Sequence, residues 1–374
     1  MIYLDNAATM CPIPEAVETF LESVKMFGNP SSMHSFGYNC RLEIEKHRKT
    51  ISKLISCDSS EIYFTSGGTE SNNIAILGAL SAMNKHSKII TSPTEHPSVL
   101  EPSLRGAERR GNPASLVNIL PNGTIDLNHL ESLLTADIAL VSIMHVNNET
   151  GSINPIDEAY KMVKNKSNAI FHVDNVQGFG KINHINADLI SFSAHKIGGL
   201  KGIGGLYVKN GVRIKPIIFG GGQEKELRSG TESLPLIASF AKVCEVIFEK
   251  ALDNYCKVQG LDNIITKELS AIKNTHLNSD DSCSPYILNI RFDDVMGETL
   301  LHCLERHEIY IGIGSACSSH GTRPSETLKA MGLNNKQIKE SIRISFSPQN
   351  TIAEVKKACE IIINEVANLR GIKK

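Results

Sequence analysis

The sequence lacks an excess of charge of either sign, since its 374 residues include 39 Lys or Arg and 40 Asp or Glu. A net charge of −1 provides no overall field that attracts nucleic acid or anionic lipid, so any partner must be recognised locally. No stretch approaches about eighteen uncharged apolar residues, and the N-terminus lacks the basic and then apolar run of a signal peptide. We therefore expect a soluble, cytoplasmic protein.

The sequence also lacks paired cysteines. Its nine cysteines are dispersed without any C-x-x-C motif, so there is no obvious ligand cluster for zinc or an iron–sulfur centre. An odd number of scattered thiols in a chain of this length argues against a disulfide framework. We expect a reducing compartment and no resident metal. Hydrophobic residues at 41% and charged residues at 21% exclude a disordered chain.

Between about residues 60 and 210, short β-branched runs alternate with longer amphipathic or polar stretches, which is typical of βαβ units and a largely parallel sheet. The predicted strands are residues 62–65, 88–91, 138–145, 169–173, 189–193 and 205–208. Ligands of open α/β sheets bind at the carboxyl ends of the strands, so functional residues are expected in the turns that follow them.

After residue 222 the pattern predicts a long helix over residues 234–272, a strand at 286–292 and a helix at 299–305. A strand at 341–346 and a final helix complete the chain. Thr351 and Glu354 form the capping-box pattern that begins this last helix.

Residues 65–71 read Thr-Ser-Gly-Gly-Thr-Glu-Ser and lie between a predicted strand and a predicted helix. Gly68, the exposed N–H groups of the first helical turn and the hydroxyl of Thr69 form a candidate phosphate site. The alternative is a simple helix start with Thr69 as the N-cap. The motif is neither a Walker A loop nor a G-x-G-x-x-G fingerprint, which disfavours nucleotide and NAD binding.

Lys196 follows Ser193 and His195 at the end of a predicted strand and precedes a glycine-rich run. Burial among other cations lowers the pKa of a lysine, so that its neutral amine can act as a nucleophile. The alternative interpretation is that Lys196 is an exposed loop lysine. Asp174 ends another strand, where a carboxylate either binds the protonated nitrogen of a pyridine ring or caps a helix. A phosphate site, an Asp and a Lys in this order indicate a site for pyridoxal 5′-phosphate on an aminotransferase-type fold.

Further motifs are residues 3–9 (Tyr-Leu-Asp-Asn-Ala-Ala-Thr), 29–32 (Asn-Pro-Ser-Ser), 228–232 (Arg-Ser-Gly-Thr-Glu) and 341–343 (Ser-Ile-Arg). With them the chain resembles, over nearly its whole length, the NifS/IscS-like cysteine desulfurases of the class V aminotransferase group. The resemblance implies fold type I of the pyridoxal phosphate enzymes, an α/β fold with a large domain built on a mostly parallel mixed sheet and a smaller α+β domain. We expect the large domain at residues 15–258 and the small domain at residues 1–14 and 259–374.

The resemblance also implies roles for the residues that match the family's motifs. Lys196 matches the lysine that binds the cofactor covalently, Asp174 the partner of the pyridine nitrogen, and Gln177 the donor to the phenolic oxygen of the ring. His96 matches the histidine that stacks on the ring and takes part in proton transfer.

Other matching residues bind the substrate and the phosphate. Asn148 matches an asparagine near cofactor and substrate, and Arg343 matches the arginine that pairs with the substrate carboxylate, a task suited to a bidentate guanidinium. The expected phosphate contacts are Gly68, Thr69, Ser193, His195 and, from the neighbouring subunit, Thr231. The last match implies an obligate homodimer.

Cys317 stands in a loop at about residues 312–325 that begins Gly-Ile-Gly-Ser-Ala-Cys-Ser-Ser. Cys244, Cys303 and Cys359 have apolar helical neighbours and are read as buried packing residues. The glycines and serines around Cys317 instead suit an accessible and movable thiol. In the family that it resembles, the Gly-Ser-Ala-Cys loop carries the nucleophile.

The resemblance thus implies that L-cysteine is converted to L-alanine while its sulfur passes to Cys317 as a persulfide, with Lys196 as the base and His96 assisting. Acceptor proteins would take this sulfur for iron–sulfur cluster assembly or for thiolation of tRNA or a cofactor, and Cys317 could transiently ligate a cluster on an acceptor. The alternatives are a class V aminotransferase, a selenocysteine lyase and a scaffold without catalysis. Direct contact with nucleic acid or a membrane is not expected.

Overall fold

The computed structural model describes residues 1–83, 87–111, 113–314 and 324–371. Its helices are α1 (Pro14–Ser23), α2 (Ser35–Leu54), α3 (Gly68–Ala82), α4 (Pro97–Glu108), α5 (Leu127–Leu133), α6 (Ile156–Lys166), α7 (Leu234–Glu249), α8 (Ala251–Ser270), α9 (Gly297–Glu305), α10 (Glu326–Ala330), α11 (Asn335–Lys339) and α12 (Ile352–Gly371). Its strands are β1 (Ile2–Leu4), β2 (Ile62–Thr65), β3 (Lys88–Thr91), β4 (Ser115–Leu116), β5 (Ile138–Ser142), β6 (Ile170–Asp174), β7 (Leu189–Ser193), β8 (Gly204–Val208), β9 (Thr275–Leu277), β10 (Ile287–Phe292), β11 (Ile309–Ile311) and β12 (Ser341–Ser345). None of the helices in these ranges is long and apolar enough to span a membrane.

Seven strands form a mixed sheet in the order β2-β8-β7-β6-β5-β3-β4. β8 is antiparallel to both of its neighbours, whereas the remaining pairs are parallel. β2 therefore runs in the same direction as β7, β6, β5 and β3, and these five strands end at the same edge of the sheet. β5, β6 and β7 are buried at every residue, as expected for strands covered by helices on both faces.

Two hydrophobic clusters cover the two faces of this sheet. Val141 and Leu140 are adjacent on β5 and belong to different clusters, because neighbouring side chains of a strand point to opposite faces. One cluster includes Phe240 of α7, and the other includes Ile76 of α3 and Val99 of α4. The large sheet thus lies between two helical layers.

A third hydrophobic cluster combines the two ends of the chain, and it contains Leu4 of β1, Phe292 of β10 and Ile362 of α12. β10 lies between β12 and β9 in an antiparallel sheet, and β1 pairs in parallel with β11. Bridges between Asp5 and Ser345 and between Gly312 and Arg343 join these two small sheets. The domain boundaries given above remain a prediction.

The strands predicted at residues 62–65, 88–91 and 189–193 are confirmed, and so is the capping box of α12, where Thr351 N–H donates to Glu354 at 2.8 Å. The strand predicted to extend to residue 145 ends at Ser142, because the following apolar residues continue as a buried loop. The single helix predicted at 234–272 is wrong. The chain forms two helices that meet at Lys250, since α7 packs on the large sheet and α8 contributes to the third cluster.

Candidate active site

A cavity of about 350 Å³ opens at the carboxyl edge of the large sheet. The predicted site residues in its walls are Gly68, Thr69, His96, Asn148, Asp174, Gln177, Ser193, His195, Lys196 and Arg343. The structure therefore brings together ten of the residues singled out from the sequence. Thr231 lies elsewhere, and Cys317 lies outside the described residues.

Most of these side chains reach the cavity because they stand where a strand ends. Asp174 is the last residue of β6 and Ser193 the last residue of β7. A single 3-10 turn after β7 then places His195 and Lys196 in the wall of the cavity. His96 follows β3 and caps α4, since its Nδ1 accepts the backbone N–H of Ser98. The parallel topology thus collects residues that are far apart in sequence.

The N-terminus of α3 fits a phosphate group. α3 begins at Gly68 with Gly67 as its N-cap, so the alternative interpretation of Thr69 as the N-cap is wrong. A Cβ atom on Gly204 would lie 2.7 Å from Gly67 Cα, so glycine is needed where β8 passes this turn. Ser193 Oγ is buried beside the turn without a hydrogen-bond partner among the described residues. An unsatisfied hydroxyl next to the first N–H groups of a helix is the donor set expected for an anion.

Asp174 is buried and held by two donors. Its Oδ1 accepts the backbone N–H of Val176 at 3.0 Å, and its Oδ2 accepts Asn72 Nδ2 at 2.8 Å. Glu95 lies near it in the interior, and burial, with the Asp174 charge adding to the effect, raises the pKa of Glu95 well above its usual range. Asp174 lines the cavity, whereas Glu95 is not among its lining residues, so Asp174 is the carboxylate placed to bind a pyridinium nitrogen.

Lys196 and Gln177 both contact the N-terminal segment of the chain. Lys196 Nζ donates to the carbonyl oxygens of Ala7 at 2.7 Å and Ala8 at 2.9 Å, and Gln177 Nε2 donates to Ala7 O at 2.9 Å. Behind them, Lys181 Nζ donates to Gln177 Oε1 at 3.3 Å. The sequence analysis missed Lys181, because nothing in the sequence shows that this lysine is only 6% exposed.

Burial and the neighbouring cations change the protonation of two basic groups in the site. Burial, assisted by the charge of Lys196, lowers the pKa of Lys181 to about 7. Burial also lowers the pKa of His195 to about 4, with further contributions from the charges of Lys196, Lys201 and Lys181. His195 is therefore neutral at pH 7, and its Nδ1 lies 3.2 Å from Thr9 Oγ1.

Arg343 stands in the middle of β12, on the side of the cavity formed by the small sheets. Its side chain is 3% exposed, Nη2 donates to Asp5 Oδ1 at 2.7 Å and Nη1 donates to Asn148 O at 2.8 Å. Nε has no hydrogen-bond partner within the described ranges. A buried guanidinium with an unused donor that lines a cavity is suited to binding a carboxylate.

The described ends of the segment around Cys317 lie beside the cavity. Ser325 Oγ donates to Glu149, and a Cβ on Gly314 would lie 3.1 Å from the same Glu149 oxygen. Glu149 directly follows Asn148, which lines the cavity. The sequence analysis missed Glu149, whose burial raises its pKa above the usual range.

Two other residues missed from the sequence are Asn72 in α3 and Ser98 in α4, both buried in the wall of the cavity. They hydrogen-bond to each other across 26 positions of sequence, so only the folded chain reveals the pair. Across the part of the chain that the structure describes, no group of three or more His, Cys, Asp or Glu is arranged to hold a metal ion.

Comparison with known proteins adds an independent finding. The model of the family Aminotransferase class-V matches residues 2–358. The chain is 39% identical to the cysteine desulfurase of Trichormus azollae, over 100% of this chain and 94% of that protein. It is 40% identical to the cysteine desulfurase IscS of Buchnera aphidicola, over 99% of this chain and 94% of that protein. A solved NifS-like protein is similar with a TM-score of 0.92 and 34% identity, over 98% of this chain and 99% of that one.

Proposed function

The chain belongs to the class V aminotransferase family and, within it, to the cysteine desulfurases, and we propose how its own residues perform the reaction. It is a pyridoxal phosphate-dependent enzyme of fold type I that converts L-cysteine to L-alanine and passes the sulfur to acceptor proteins. The observation that carries the assignment of residues is the convergence of Lys196, Asp174, His96 and Arg343 on one cavity.

The residues of the large sheet fit the cofactor. The N-terminus of α3 and the unsatisfied Ser193 hydroxyl would hold its phosphate, Asp174 its ring nitrogen and Lys196 its aldehyde carbon. Gln177 would donate to the phenolic oxygen. When bound, pyridoxal phosphate supplies an electron-withdrawing ring that accepts the electron pair released at the substrate Cα.

Arg343 binds the substrate carboxylate, and the position of its guanidinium in the wall of the cavity supports this role. Lys196 takes the Cα proton at its Nζ atom, because it is the lysine among the described residues that line the cavity. His96, half-buried in the same wall, contacts the substrate from the start of α4.

The sulfur step needs a second nucleophile, and we assign it to Cys317. Its thiolate attacks the substrate sulfur, so that an S–S bond forms as the Cβ–S bond breaks. The electron pair of the broken bond stays on Cβ, which takes up a proton to become a methyl group. Lys196 returns a proton to Cα, which completes L-alanine. The outer sulfur keeps the substrate's S–H hydrogen, and Cys317 is left as a persulfide.

The variant Cys317→Ala tests this assignment. We expect it to retain the cofactor absorbance, to release no alanine from cysteine and to give no persulfide-bearing peptide in mass spectrometry. Cys256→Ala is the control, because Cys256 is an exposed cysteine on α8. Undiminished alanine release by Cys317→Ala contradicts the assignment, keto-acid-dependent amino transfer would indicate an aminotransferase, and activity on selenocysteine alone would indicate a lyase.

We further propose that the enzyme is a homodimer in which Thr231 reaches the cofactor phosphate of the partner. Thr231 is exposed and lies outside the cavity of its own chain. Phe27, Met33 and Phe219 are 84%, 102% and 82% exposed, which is unusual for large apolar side chains. The segments that carry them are adjacent, because Pro30 and residues 221–225 line one concavity, so a second copy would cover one continuous face.

The segment that carries Thr231 is held in shape by a buried ion pair. Glu224, Lys225 and Glu226 are three consecutive residues with φ values of 46°, 55° and 68°, a conformation that costs free energy for residues other than glycine. Arg48 compensates by donating to both Glu224 carboxylate oxygens at 2.8 Å. This anchoring supports a rigid presentation of Thr231 to a partner subunit.

The double variant Phe27→Asp/Phe219→Asp tests the dimer. We expect light scattering to give half the molar mass of the wild type, with weaker cofactor retention because the partner's phosphate contact is lost. Leu252→Asp is the control, since Leu252 is 75% exposed on α8. A double variant that keeps the wild-type mass, or a wild type that is a fully active monomer, contradicts the proposal.

The compartment and the acceptor are part of the same proposal. Because persulfide transfer starts from a reduced thiol, we place the enzyme in a reducing compartment such as the cytoplasm. The acceptor is a protein of iron–sulfur cluster assembly or of thiolation, to be identified by capture on the Cys317 persulfide.

A further inference from the structure

A chain of hydrogen bonds in the wall of the cavity joins Asp174 to His96. Asn72, which is 1% exposed, donates from Nδ2 to Asp174 Oδ2 at 2.8 Å and to Ser98 Oγ at 2.9 Å. Ser98 Oγ in turn lies 2.7 Å from His96 Nδ1. None of the roles assigned above uses Asn72 or Ser98.

The number of available hydrogens fixes the direction of the two bonds that Asn72 makes. Asn72 uses both of its amide hydrogens, and the carboxylate of Asp174 accepts only. A reversed amide would place Oδ1 against that carboxylate, so the amide orientation is determined. Ser98 Oγ accepts one of the two hydrogens and keeps its own single hydrogen available for His96 Nδ1, 2.7 Å away.

The main chain determines the direction of the bond between Ser98 Oγ and His96 Nδ1. The backbone N–H of Ser98 donates to His96 Nδ1 at 3.1 Å. A backbone N–H can only donate, so Nδ1 must present its lone pair. A neutral imidazole carries one N–H, which is therefore on Nε2.

We propose that Ser98 and Asn72 are positioning residues that hold His96 in the Nε2–H tautomer, so that this histidine presents a hydrogen-bond donor, and not a base, to the substrate. The inference rests on the proposed function, in which His96 contacts the substrate. Removal of the Cα proton then belongs to Lys196, and His96 donates from Nε2 to negative charge that develops on the substrate.

The two positioning residues have separable effects. Ser98 contacts His96 directly, whereas the Asn72 amide serves both Ser98 and Asp174. A change at Ser98 should therefore alter only the properties of the histidine. A change at Asn72 should also remove a donor from Asp174, and with it alter the absorbance of the bound cofactor.

Nitrogen-15 NMR of histidine-labelled holoenzyme reads the tautomer directly, with His96→Gln identifying the signals. We expect His96 Nδ1 to resonate as an unprotonated acceptor and Nε2 as an N–H nitrogen. In Ser98→Ala, the Nδ1 signal should move toward a weaker acceptor, and kcat should fall about 5-fold at unchanged KM, as expected for one lost hydrogen bond. Ser98→Thr should restore both, and Asn72→Ala should additionally shift the cofactor absorbance.

Ser103→Ala is the matched control. Ser103 lies on the same helix α4, is fully buried, and its Oγ has no hydrogen-bond partner among the described residues. It should leave the His96 signals and kcat unchanged.

An Nδ1–H tautomer in wild-type holoenzyme overturns the inference, and so does a Ser98→Ala variant that behaves like Ser103→Ala. If the wild type releases no alanine from cysteine, the proposed function fails instead, while the nitrogen shifts still decide the tautomer.

Discussion

The cavity has two walls of different construction. The sheet-edge wall carries Asp174, Ser193 and Lys196, each at or just after the end of a strand of the large sheet. The far wall carries Ala7 of the N-terminal segment and Arg343 of β12. The first wall is assembled by repeated βα units within one part of the chain. The second exists only because Asp5 and Arg343 meet across 338 positions of sequence.

The two walls therefore match different ligands. The sheet-edge wall offers an anion site, a carboxylate and an amine, which match the groups of a flat, phosphorylated cofactor. The far wall offers a guanidinium, which matches the carboxylate of an amino acid substrate. Variants of the two walls should therefore fail in different ways.

The largest effect is expected for Lys196→Ala on the sheet-edge wall. Turnover should fall to background because the amine that exchanges with the substrate and takes the Cα proton is lost. The cofactor should still bind, now without a covalent bond, since the α3 N-terminus, Ser193 and Asp174 are unchanged. Borohydride trapping with mass spectrometry checks this, with the exposed Lys201→Ala as the control. A cofactor-free Lys196→Ala protein would argue against independent binding by this wall.

The next effect is expected for Arg343→Ala on the far wall. Loss of hydrogen bonds to a charged substrate group should lower kcat/KM by roughly 10- to 150-fold, equivalent to about 1.5–3 kcal/mol, mainly through KM. The cofactor absorbance should not change. Arg343→Lys keeps the charge but not the bidentate geometry and should recover only part of the loss. A variant that loses the cofactor and keeps its affinity for the substrate would contradict the assignment of substrate binding to the far wall.

A smaller effect concerns Lys181, which hydrogen-bonds to Gln177 and lies 5.5 Å from the ring centre of Tyr286 in the third hydrophobic cluster. Its folded pKa of about 7 is below the usual value for lysine, so the unfolded chain binds more protons between about pH 7 and 10.5. The stability of the wild type should therefore rise relative to Lys181→Met by about 2 kcal/mol from pH 7 to pH 9. Thermal unfolding at both pH values checks this. The same stability difference at pH 7 and pH 9 would mean that folding does not lower the pKa of Lys181.

The smallest effect is expected for Thr351→Ala at the start of α12. Loss of the N-cap should lower the free energy of unfolding by about 1 kcal/mol, with no change in the cofactor absorbance, because α12 packs in the third cluster and not on the large sheet. Thr351→Ser, which keeps the capping hydroxyl, should be close to wild type in denaturant unfolding. An altered cofactor absorbance would show that a change in the third cluster affects the sheet-edge wall, so that the two walls are not independent.

The sheet-edge wall was largely predictable from the sequence. Asp174 ends one apolar strand, Lys196 follows another, and the Gly-Gly-Thr turn begins a helix, so local patterns were sufficient to place them at one edge. Boundaries were less predictable: the apolar run after Ser142 continues into a buried loop, and the helical pattern of α7 and α8 does not reveal the break at Lys250.

The supporting residues could not be predicted from the sequence, for a physical reason. Asn72, Ser98 and Lys181 have ordinary helical or turn surroundings in sequence, and their importance depends on burial and on partners from other elements. Hydrogen-bond partners 102 positions apart, such as Asn72 and Asp174, leave no periodic signal in a single sequence. The placement of Cys317 rests on its loop motif alone, since the residue is outside the described ranges.

The pairing of β1 with β11 has a consequence for how the enzyme matures on the ribosome. Among the described strands, β1 (Ile2–Leu4) pairs only with Ile309–Ile311, and Asp5 contacts Arg343 on the next strand. The N-terminal segment, which supplies Ala7 beside Lys196, must therefore wait during translation until more than nine-tenths of the polypeptide has been synthesised. A nascent chain can therefore form the large sheet, with Asp174 and Lys196 at its edge, before the wall that carries Arg343 exists.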